Sequence, residues 1–173
     1  MSTQSSAPLL IVCMGVSGSG KTTLAAALAQ KLGWVFMDAD DFHSDTNINH
    51  MRAGKPLTNS MREPWLNDIC TTLATANANS QYTVLAFSGL IKRHRDRIRA
   101  LGMPCLFVYL EAKEGVIAQR MAARKNHFMP SSLLKSQLEA LESPLQEPDV
   151  LFLDSTLSPH VLVETVLRNT KLG

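Results

Sequence analysis

The stretch GVSGSGKTT, residues 15–23, decides the fold class of this 173-residue chain. Its spacing is Gly-x-x-x-x-Gly-Lys-Thr. It follows an apolar run, LLIVCM at 9–14, and precedes leucines that repeat every fourth residue, Leu24, Leu28 and Leu32. A strand, a glycine loop and a helix in this order form the setting in which the pattern binds phosphates, because the loop's N–H groups and the helix start face the anion. The stretch therefore predicts a nucleotide phosphate-binding loop.

Within this loop, Lys21 is expected to reach the β- and γ-phosphates of ATP, and the Thr22 hydroxyl is expected to ligate Mg²⁺. A chance Gly/Ser turn is the alternative, and the flanking strand and helix disfavour it. The chain has no Asn-Lys-x-Asp guanine-reading motif and is shorter than most motors or helicases, which favours a small-molecule kinase. The predicted ATP-binding residues of the loop are Gly15, Ser17, Gly18, Ser19, Gly20, Lys21, Thr22 and Thr23.

Four further apolar runs, at 34–38, 82–87, 105–110 and 149–154, alternate with helical patterns. Their continuous apolarity is typical of parallel strands that are buried on both faces. Ser60-Met-Arg-Glu63 has the form of a capping box, and Ser158-Pro159 can start a last helix. The pattern predicts an α/β fold of the P-loop kinase type, a three-layer sandwich with a five-stranded parallel sheet.

Composition and charge indicate a single domain over residues 1–173, with residues 1–8 as a flexible tail. Hydrophobic residues make up 45% of the chain and charged residues 18%, and the net charge of +2 is too small to suggest a nucleic-acid partner. Three scattered cysteines are typical of buried reduced thiols in a cytosolic protein. The opening MSTQSSAP resembles neither a secretory signal nor a membrane span, so we expect a cytoplasmic protein without a membrane partner.

Acidic residues follow the second strand in the sequence Asp38-Ala-Asp40-Asp41-Phe-His43. Ligands of open α/β sheets bind beyond the carboxyl ends of the strands, where these acids fall. Phosphoryl transfer to an alcohol needs one carboxylate at the acceptor hydroxyl and another that orders hydrated Mg²⁺. The alternative is that these acids only cap the next helix.

Several runs, taken together with the loop, are much more specific than the loop alone. They are LGWVFMDADDFH at 32–43, Asn47 with Met51, GKPL at 54–57, REPWL at 62–66, FSGLIKRHRD at 87–96, NHFMP at 126–130 and LKSQLEALE at 134–142. On these residues the chain resembles the gluconokinases, in the shikimate-kinase-like group of P-loop kinases. The resemblance spans nearly the whole sequence.

The resemblance implies transfer of the ATP γ-phosphoryl group to the 6-hydroxyl of D-gluconate, a sugar acid, giving 6-phosphogluconate. It implies that Asp40 is the acid at the acceptor hydroxyl and that Asp38 is a partner of the magnesium ion. It further implies a mobile lid over the ATP phosphates at about residues 120–132, and a homodimer.

The predicted substrate-binding residues are Asp40, His43, Arg62, Lys92, Arg95 and His127. Arginine suits a carboxylate because its planar fork can bind both oxygens. For Lys92 and Arg95 the alternative is a solvated helix face, which also describes the neighbouring arginines.

Two arginines, Arg120 and Arg124, lie four residues apart on the entry side of the candidate lid. Residues at this spacing share a helix face, so both can turn to the phosphates, Arg124 as a catalytic group and Arg120 as a nucleotide ligand. The alternative is a basic helix surface.

The chain departs from the gluconokinase pattern mainly on the acceptor side, at Ser44, Asn59, Met61, Phe87, Ile91 and Asn126. The pattern usually has proline, two carboxylates, cysteine, lysine and glycine at the corresponding places. Another sugar acid, a polyol or shikimate therefore stays open as the acceptor. Two different functions stay open as well, a nucleotide-dependent sensor without turnover and a nucleotide-modifying kinase.

Overall fold

A five-stranded parallel sheet forms the middle layer of the molecule. The computed structural model describes residues 9–124 and 130–170. The strands lie in the order β2-β3-β1-β4-β5, and every neighbouring pair is parallel. The α/β class and the five parallel strands are confirmed, and the strand bounds are β1 (Leu10–Met14), β2 (Val35–Asp38), β3 (Thr83–Ala86), β4 (Cys105–Glu111) and β5 (Val150–Asp154).

Helices cover both faces of the sheet. Alternate residues of β1 serve two separate cores, because successive side chains of a strand point to opposite faces. Ile11 and Cys13 pack in the core formed with the first and last helices, and Leu10, Val12 and Met14 pack in the core on the other face. The helices are α1 (Lys21–Leu32), α2 (Asp45–Arg52), α3 (Asn59–Ala78), α4 (Lys92–Arg99), α5 (Glu114–Ala123), α6 (Leu134–Ala140) and α7 (Pro159–Thr170), with 3₁₀ turns at Ala39–Phe42 and Ser131–Leu133.

The prediction that all strands are buried on both faces is wrong for β2. Val35 and Phe36 are each 41% exposed, whereas every residue of β1 is buried. The reason is position in the sheet: β2 is an edge strand that pairs only with β3, and β1 lies at the centre. Apolar composition alone does not distinguish the two positions.

Two predicted helix starts have different outcomes. Helix α3 begins at Asn59, and its cap is Thr58, whose hydroxyl accepts a hydrogen bond from the Met61 N–H at 3.3 Å. The predicted Ser60 cap is therefore wrong: Thr58 is also among the preferred cap residues, and it lies two positions earlier. The Ser158 cap of α7 is confirmed, and its hydroxyl accepts from the Val161 N–H at 3.3 Å. No helix within the described residues is long and apolar enough to cross a membrane.

Candidate active site

The phosphate-binding loop is closely packed between β1 and α1. A Cβ atom on Gly15 would lie 2.6 Å from the Ser19 Oγ, and one on Gly18 would lie 3.0 Å from a side-chain carbon of Met121 in α5. Gly20, directly before α1, has a φ of +96°. Residues other than glycine rarely adopt this backbone conformation. The glycines thus permit a tight loop that ends at a helix N-terminus, as an anion site requires.

Lys21, the first residue of α1, is buried in the middle of a group of charges. Burial lowers the pKa of its ammonium group, the nearby carboxylates of Asp40 and Asp38 oppose this shift, and the guanidinium of Arg124 adds to it. The opposing carboxylates favour the charged form, which is the form that can bind a phosphoryl oxygen. Lys21 therefore lies where a phosphate, Asp40 and Arg124 can meet.

Thr22 and Asp38 form a pair of oxygen groups next to this lysine. The Thr22 hydroxyl donates to Asp38 Oδ2 at 3.0 Å, and Asp38 Oδ1 accepts from the Asp40 N–H at 3.0 Å. Burial raises the pKa of Asp38, partly offset by these two hydrogen bonds. Hydroxyl and carboxylate oxygens are what Mg²⁺ prefers, so the residues present fit that ion.

A cleft, called the acceptor cleft below, opens beside the loop, beyond the carboxyl ends of β1, β2 and β3. Its empty space is about 780 Å³, including the part open to solvent, which is in the range of small-molecule sites. The structure brings five of the predicted residues together here, and the lining consists of Ser17, Lys21, Asp40, His43, Met51, Pro56, Leu57, Arg62, Trp65, Ser88, Leu90, Ile91, Leu133, Ser136, Gln137 and Ala140.

Two stacked rings, His43 and Trp65, form one wall of this acceptor cleft, and the ring of Phe87 lies behind Trp65. His43 stacks on Trp65 with a centroid distance of 4.7 Å, and Trp65 stacks on Phe87 at 5.5 Å. The Trp65 indole N–H donates to the Ala39 carbonyl at 2.7 Å, which ties α3 to the turn that carries Asp40. Burial lowers the pKa of His43, so its imidazole is favoured in the neutral form. Trp65 is both a core residue and a wall of the cleft.

Arg62 supplies the positive charge of the acceptor cleft on the side of α3. Burial lowers the pKa of its guanidinium, and its charge in turn contributes to the lowered pKa of His43. No hydrogen bond or ion pair joins the Arg62 side chain to another residue within 9–124 and 130–170. A half-buried arginine of this kind suits an anionic ligand.

Two predicted substrate residues, Lys92 and Arg95, do not line the cleft. Lys92 lies on the surface, where its ammonium pairs with Asp96 at 2.6 Å. Arg95 is fully buried and donates to Glu147, to the Gly89 carbonyl and to the Glu142 carbonyl. Its planar fork already has protein partners, so it supports the cleft wall at Gly89 instead of contacting a ligand.

The two lid-side arginines line a cleft on the other side of the loop. Arg120 donates to the Ser155 carbonyl at 2.8 Å and approaches the Gly18 and Ser19 carbonyls at 3.4 and 3.3 Å. It therefore braces the loop, whereas the Arg124 side chain is exposed. This nucleotide-side cleft is lined by Gly18, Ser19, Gly20, Thr23, Leu24, Arg120, Arg124, Ser155, Leu157, Pro159 and Leu162.

Gln137 and Ser88 are site residues to which the sequence analysis assigned no role. Gln137, in α6, accepts a hydrogen bond from the Ser17 backbone N–H of the loop at 2.7 Å. The signal available was its place in the run LKSQLEALE, which carried the resemblance without indicating a contact. His127 and Asn126 lie outside the described residues, as do the other residues of 125–129 in the predicted lid.

The chain is similar to known proteins over most of its length. The family model described as an AAA domain matches residues 10–148. A gluconokinase of Gluconobacter oxydans (strain 621H) is 38% identical over 162 residues, covering 94% of this chain and 91% of that protein. The unliganded crystal structure of a sugar kinase from Janibacter sp. HTCC2649 has a TM-score of 0.87 at 38% identity and 95% coverage of both chains. A gluconokinase structure from Sinorhizobium meliloti 1021 has a TM-score of 0.80 at 36% identity, with 96% and 97% covered.

Proposed function

The chain belongs to the gluconokinase family, and we propose that it transfers the γ-phosphoryl group of ATP to the 6-hydroxyl of D-gluconate, giving ADP and 6-phosphogluconate. One observation carries the proposal: a single cleft joins Lys21 of the phosphate-binding loop and Asp40 to two groups suited to a sugar acid, Arg62 and His43. A binding protein without turnover would not need an acid between its lysine and an acceptor pocket.

Asp40 is the general base in this proposal. The 6-oxygen forms a bond to the γ-phosphorus as the bond from phosphorus to the β–γ bridging oxygen breaks, and the electron pair of that bond leaves with ADP. Asp40 takes the hydroxyl proton, a role typically worth about 10²- to 10⁴-fold in rate. Its support is its place in the cleft and its charge interaction with Lys21.

Lys21 and Arg124 are the cations proposed to stabilise charge on the phosphoryl oxygens. Lys21 is buried at the start of α1, so its charge acts in a dry environment where electrostatic interactions are strong. Arg124 is close enough to lower the pKa of Lys21. A phosphoryl group between them would relieve that repulsion, because it brings negative charge to both.

Thr22 and Asp38 are the residues proposed to hold Mg²⁺ with the nucleotide. When bound, the ion would neutralise charge on the β- and γ-phosphates. Thr22 would offer its hydroxyl oxygen, and Asp38 would orient water around the ion. The 3.0 Å bond between them already fixes both side chains in one orientation.

Gluconate recognition is proposed for polar side chains that line the cleft together with Lys21 and Asp40. Arg62 would bind the carboxylate, and His43 with Ser88 would face the hydroxyls. Trp65 offers an aromatic surface to the carbon chain. Neutral imidazole can both donate and accept, which suits a polyhydroxy chain.

The departures from the family pattern bear on the acceptor to different degrees. Ile91 lines the cleft where the pattern has a lysine, and Phe87 lies behind Trp65 where it has a cysteine. Asn59 is exposed at the start of α3, and Met61 packs against the small cluster of Met51, Leu57 and Leu133. Ile91 is therefore the position where a changed preference would arise.

Two implications of the resemblance stay predictions, the lid at about 120–132 and the homodimer. The cytoplasmic location, expected from the cysteines and the opening residues, also stays a prediction. Of the lid, the C-terminal turn of α5, Arg124 and residues 130–132 are within the described part of the chain.

Measuring kcat/KM for each of a panel of acceptors, with ATP as the phosphoryl donor, tests the proposal. We expect gluconate to be preferred over its stereoisomers, shorter sugar acids, polyols and shikimate, with 6-phosphogluconate as the product. Ile91→Lys should raise kcat/KM for an acid that carries an extra anionic or hydroxyl group. Asn59→Lys introduces the same charge at an exposed position and is the control. An acceptor preferred tenfold over gluconate would overturn the substrate, and ATP binding without turnover on any acceptor would overturn the kinase assignment.

A further inference from the structure

One hydrogen bond joins the phosphate-binding loop to helix α6 at the acceptor cleft. Gln137 Oε1 accepts from the Ser17 N–H at 2.7 Å across 120 residues of sequence. Both residues line the cleft that also contains Lys21 and Asp40. Ser17 is 4% exposed, so its N–H has little access to water and the bond is costly to lose.

Helix α6 is held firmly enough to place this side chain. Leu134 is buried, and together with Leu138 it packs in a cluster that includes Val16 of the loop and Met121 of α5. Two residues after the helix ends, the Glu142 N–H donates to the carbonyl of Leu90, a residue of the cleft wall, at 2.8 Å. The helix thus contacts the loop and the acceptor wall at once.

The chemistry of the bond defines its direction. Phosphate-binding loops use their backbone N–H groups as donors to phosphate oxygens. Ser17 gives its N–H to a side chain of α6, so this part of the loop is oriented by the protein itself. Within the Gln137 amide, only Oε1 can accept from an N–H, so the bond requires that Oε1, and not the NH₂ group, faces the loop.

We propose that Gln137 is a positioning residue for phosphoryl transfer: through Ser17 it holds the phosphate-binding loop in register with the acceptor cleft. The inference rests on the proposed function for the identity of the reaction. Gln137 acts on alignment and not on the reacting atoms. A displacement of about 1 Å between reacting groups can cost roughly 10²-fold in rate, so one bond at this place has a large effect.

The test replaces Gln137 by methionine, which keeps the length of the side chain and removes the amide. We expect kcat to fall by about tenfold or more, whereas KM for ATP changes less than about threefold, because the rest of the loop still binds the phosphates. Glu139→Met is the matched control, since Glu139 lies in the same helix with 66% of its side chain exposed. It should leave both constants and the melting temperature at wild-type values.

A second measurement reads the contact without any substrate. Hydrogen exchange of the Ser17 amide, followed by NMR, should be about tenfold or more faster in Gln137→Met than in wild type and in Glu139→Met, with an unchanged melting temperature. Unchanged Ser17 exchange, or a kcat within twofold of wild type, would overturn the proposal. No turnover of gluconate by the wild-type enzyme would instead contradict the proposed function. The best acceptor of the panel would then replace gluconate in the assay of Gln137→Met.

Discussion

Three neighbouring carboxyl groups, Asp38, Asp40 and Asp41, have different surroundings although they lie within four residues. Asp38 accepts from Thr22 and from the backbone, Asp40 lies in the acceptor cleft beside Lys21, and Asp41 is exposed. The 3₁₀ turn Ala39–Phe42 produces this separation, because successive residues of a turn point in different directions. At this scale, function depends on which side of one turn a carboxylate occupies.

The general-base role of Asp40 is tested by Asp40→Asn, which keeps the shape and removes the proton acceptor. We expect kcat to fall by about 10²- to 10⁴-fold with an unchanged melting temperature. Asp41→Asn makes the same change one residue away on the exposed side of the turn, and it should stay within about twofold of wild type. More than a tenth of the wild-type kcat in Asp40→Asn would remove this residue as the base.

Helix α4 acts as a support for the acceptor cleft at the scale of elements. Its sequence KRHRDRIR is almost entirely polar, yet His94, Arg95 and Ile98 are buried. Arg95 reaches the Gly89 carbonyl at 2.6 Å and the Glu142 carbonyl at 3.0 Å, and it pairs with Glu147. Arg99 adds ion pairs to Glu147 and Asp149. This network ties the loop after β3 to the segment that leads into β5.

Breaking the network at Arg95 is expected to lower stability more than any exposed pair would. Arg95→Met removes the donor to the Gly89 and Glu142 carbonyls and one of the two arginine partners of Glu147, and each buried acceptor left unsatisfied typically costs about 1 to 3 kcal/mol of unfolding free energy. Arg93→Met removes an exposed pair with Glu63, worth at most about 1 kcal/mol. Urea denaturation of the two variants measures the difference. Equal midpoints would show that Arg95 is not a support, and a raised acceptor KM in folded Arg95→Met without loss of stability would restore it as a ligand.

For the whole molecule, one buried histidine couples stability to pH. His94 is 3% exposed, and its Nε2 has no hydrogen-bond partner among the described residues. Burial lowers its pKa to about 4, and the charges of Arg62 and Arg93 contribute. The unfolded chain takes up a proton near the ordinary value of about 6.5, whereas the folded protein resists it. Stability present above about pH 6.5 is therefore lost as the pH falls towards about 4.

His94→Leu should flatten this part of the stability curve, because leucine has no proton to take up in the unfolded chain. We expect the unfolding free energy of the variant to fall less than that of wild type between pH 6.5 and 4. The exposed His160→Leu serves as the control and should follow the wild-type curve. Chemical denaturation at several pH values provides the comparison, and parallel curves for His94→Leu and wild type would contradict the prediction.

The sequence by itself determined the elements and the phosphate site. Strand positions follow from apolar runs, and the loop follows from glycines, a lysine and a threonine at set spacing between a strand and a helix. These are local signals, so each can be read within about a dozen residues. The family-level motifs added Asp38, Asp40, His43 and Arg62 to the predicted site residues. The first three lie in the run after β2, and Arg62 lies in the run REPWL.

Only the tertiary structure decided which of these residues share a site and which support it. The insertion of β3 between β1 and β2 brings Ser88 next to Lys21 and Asp40, and no local pattern specifies that order. Gln137 meets Ser17 across 120 residues, and Arg95 is buried although its helix reads as a solvated face. Such contacts depend on how helices pack on the sheet, and the free energy that selects this packing is shared among residues far apart in the chain.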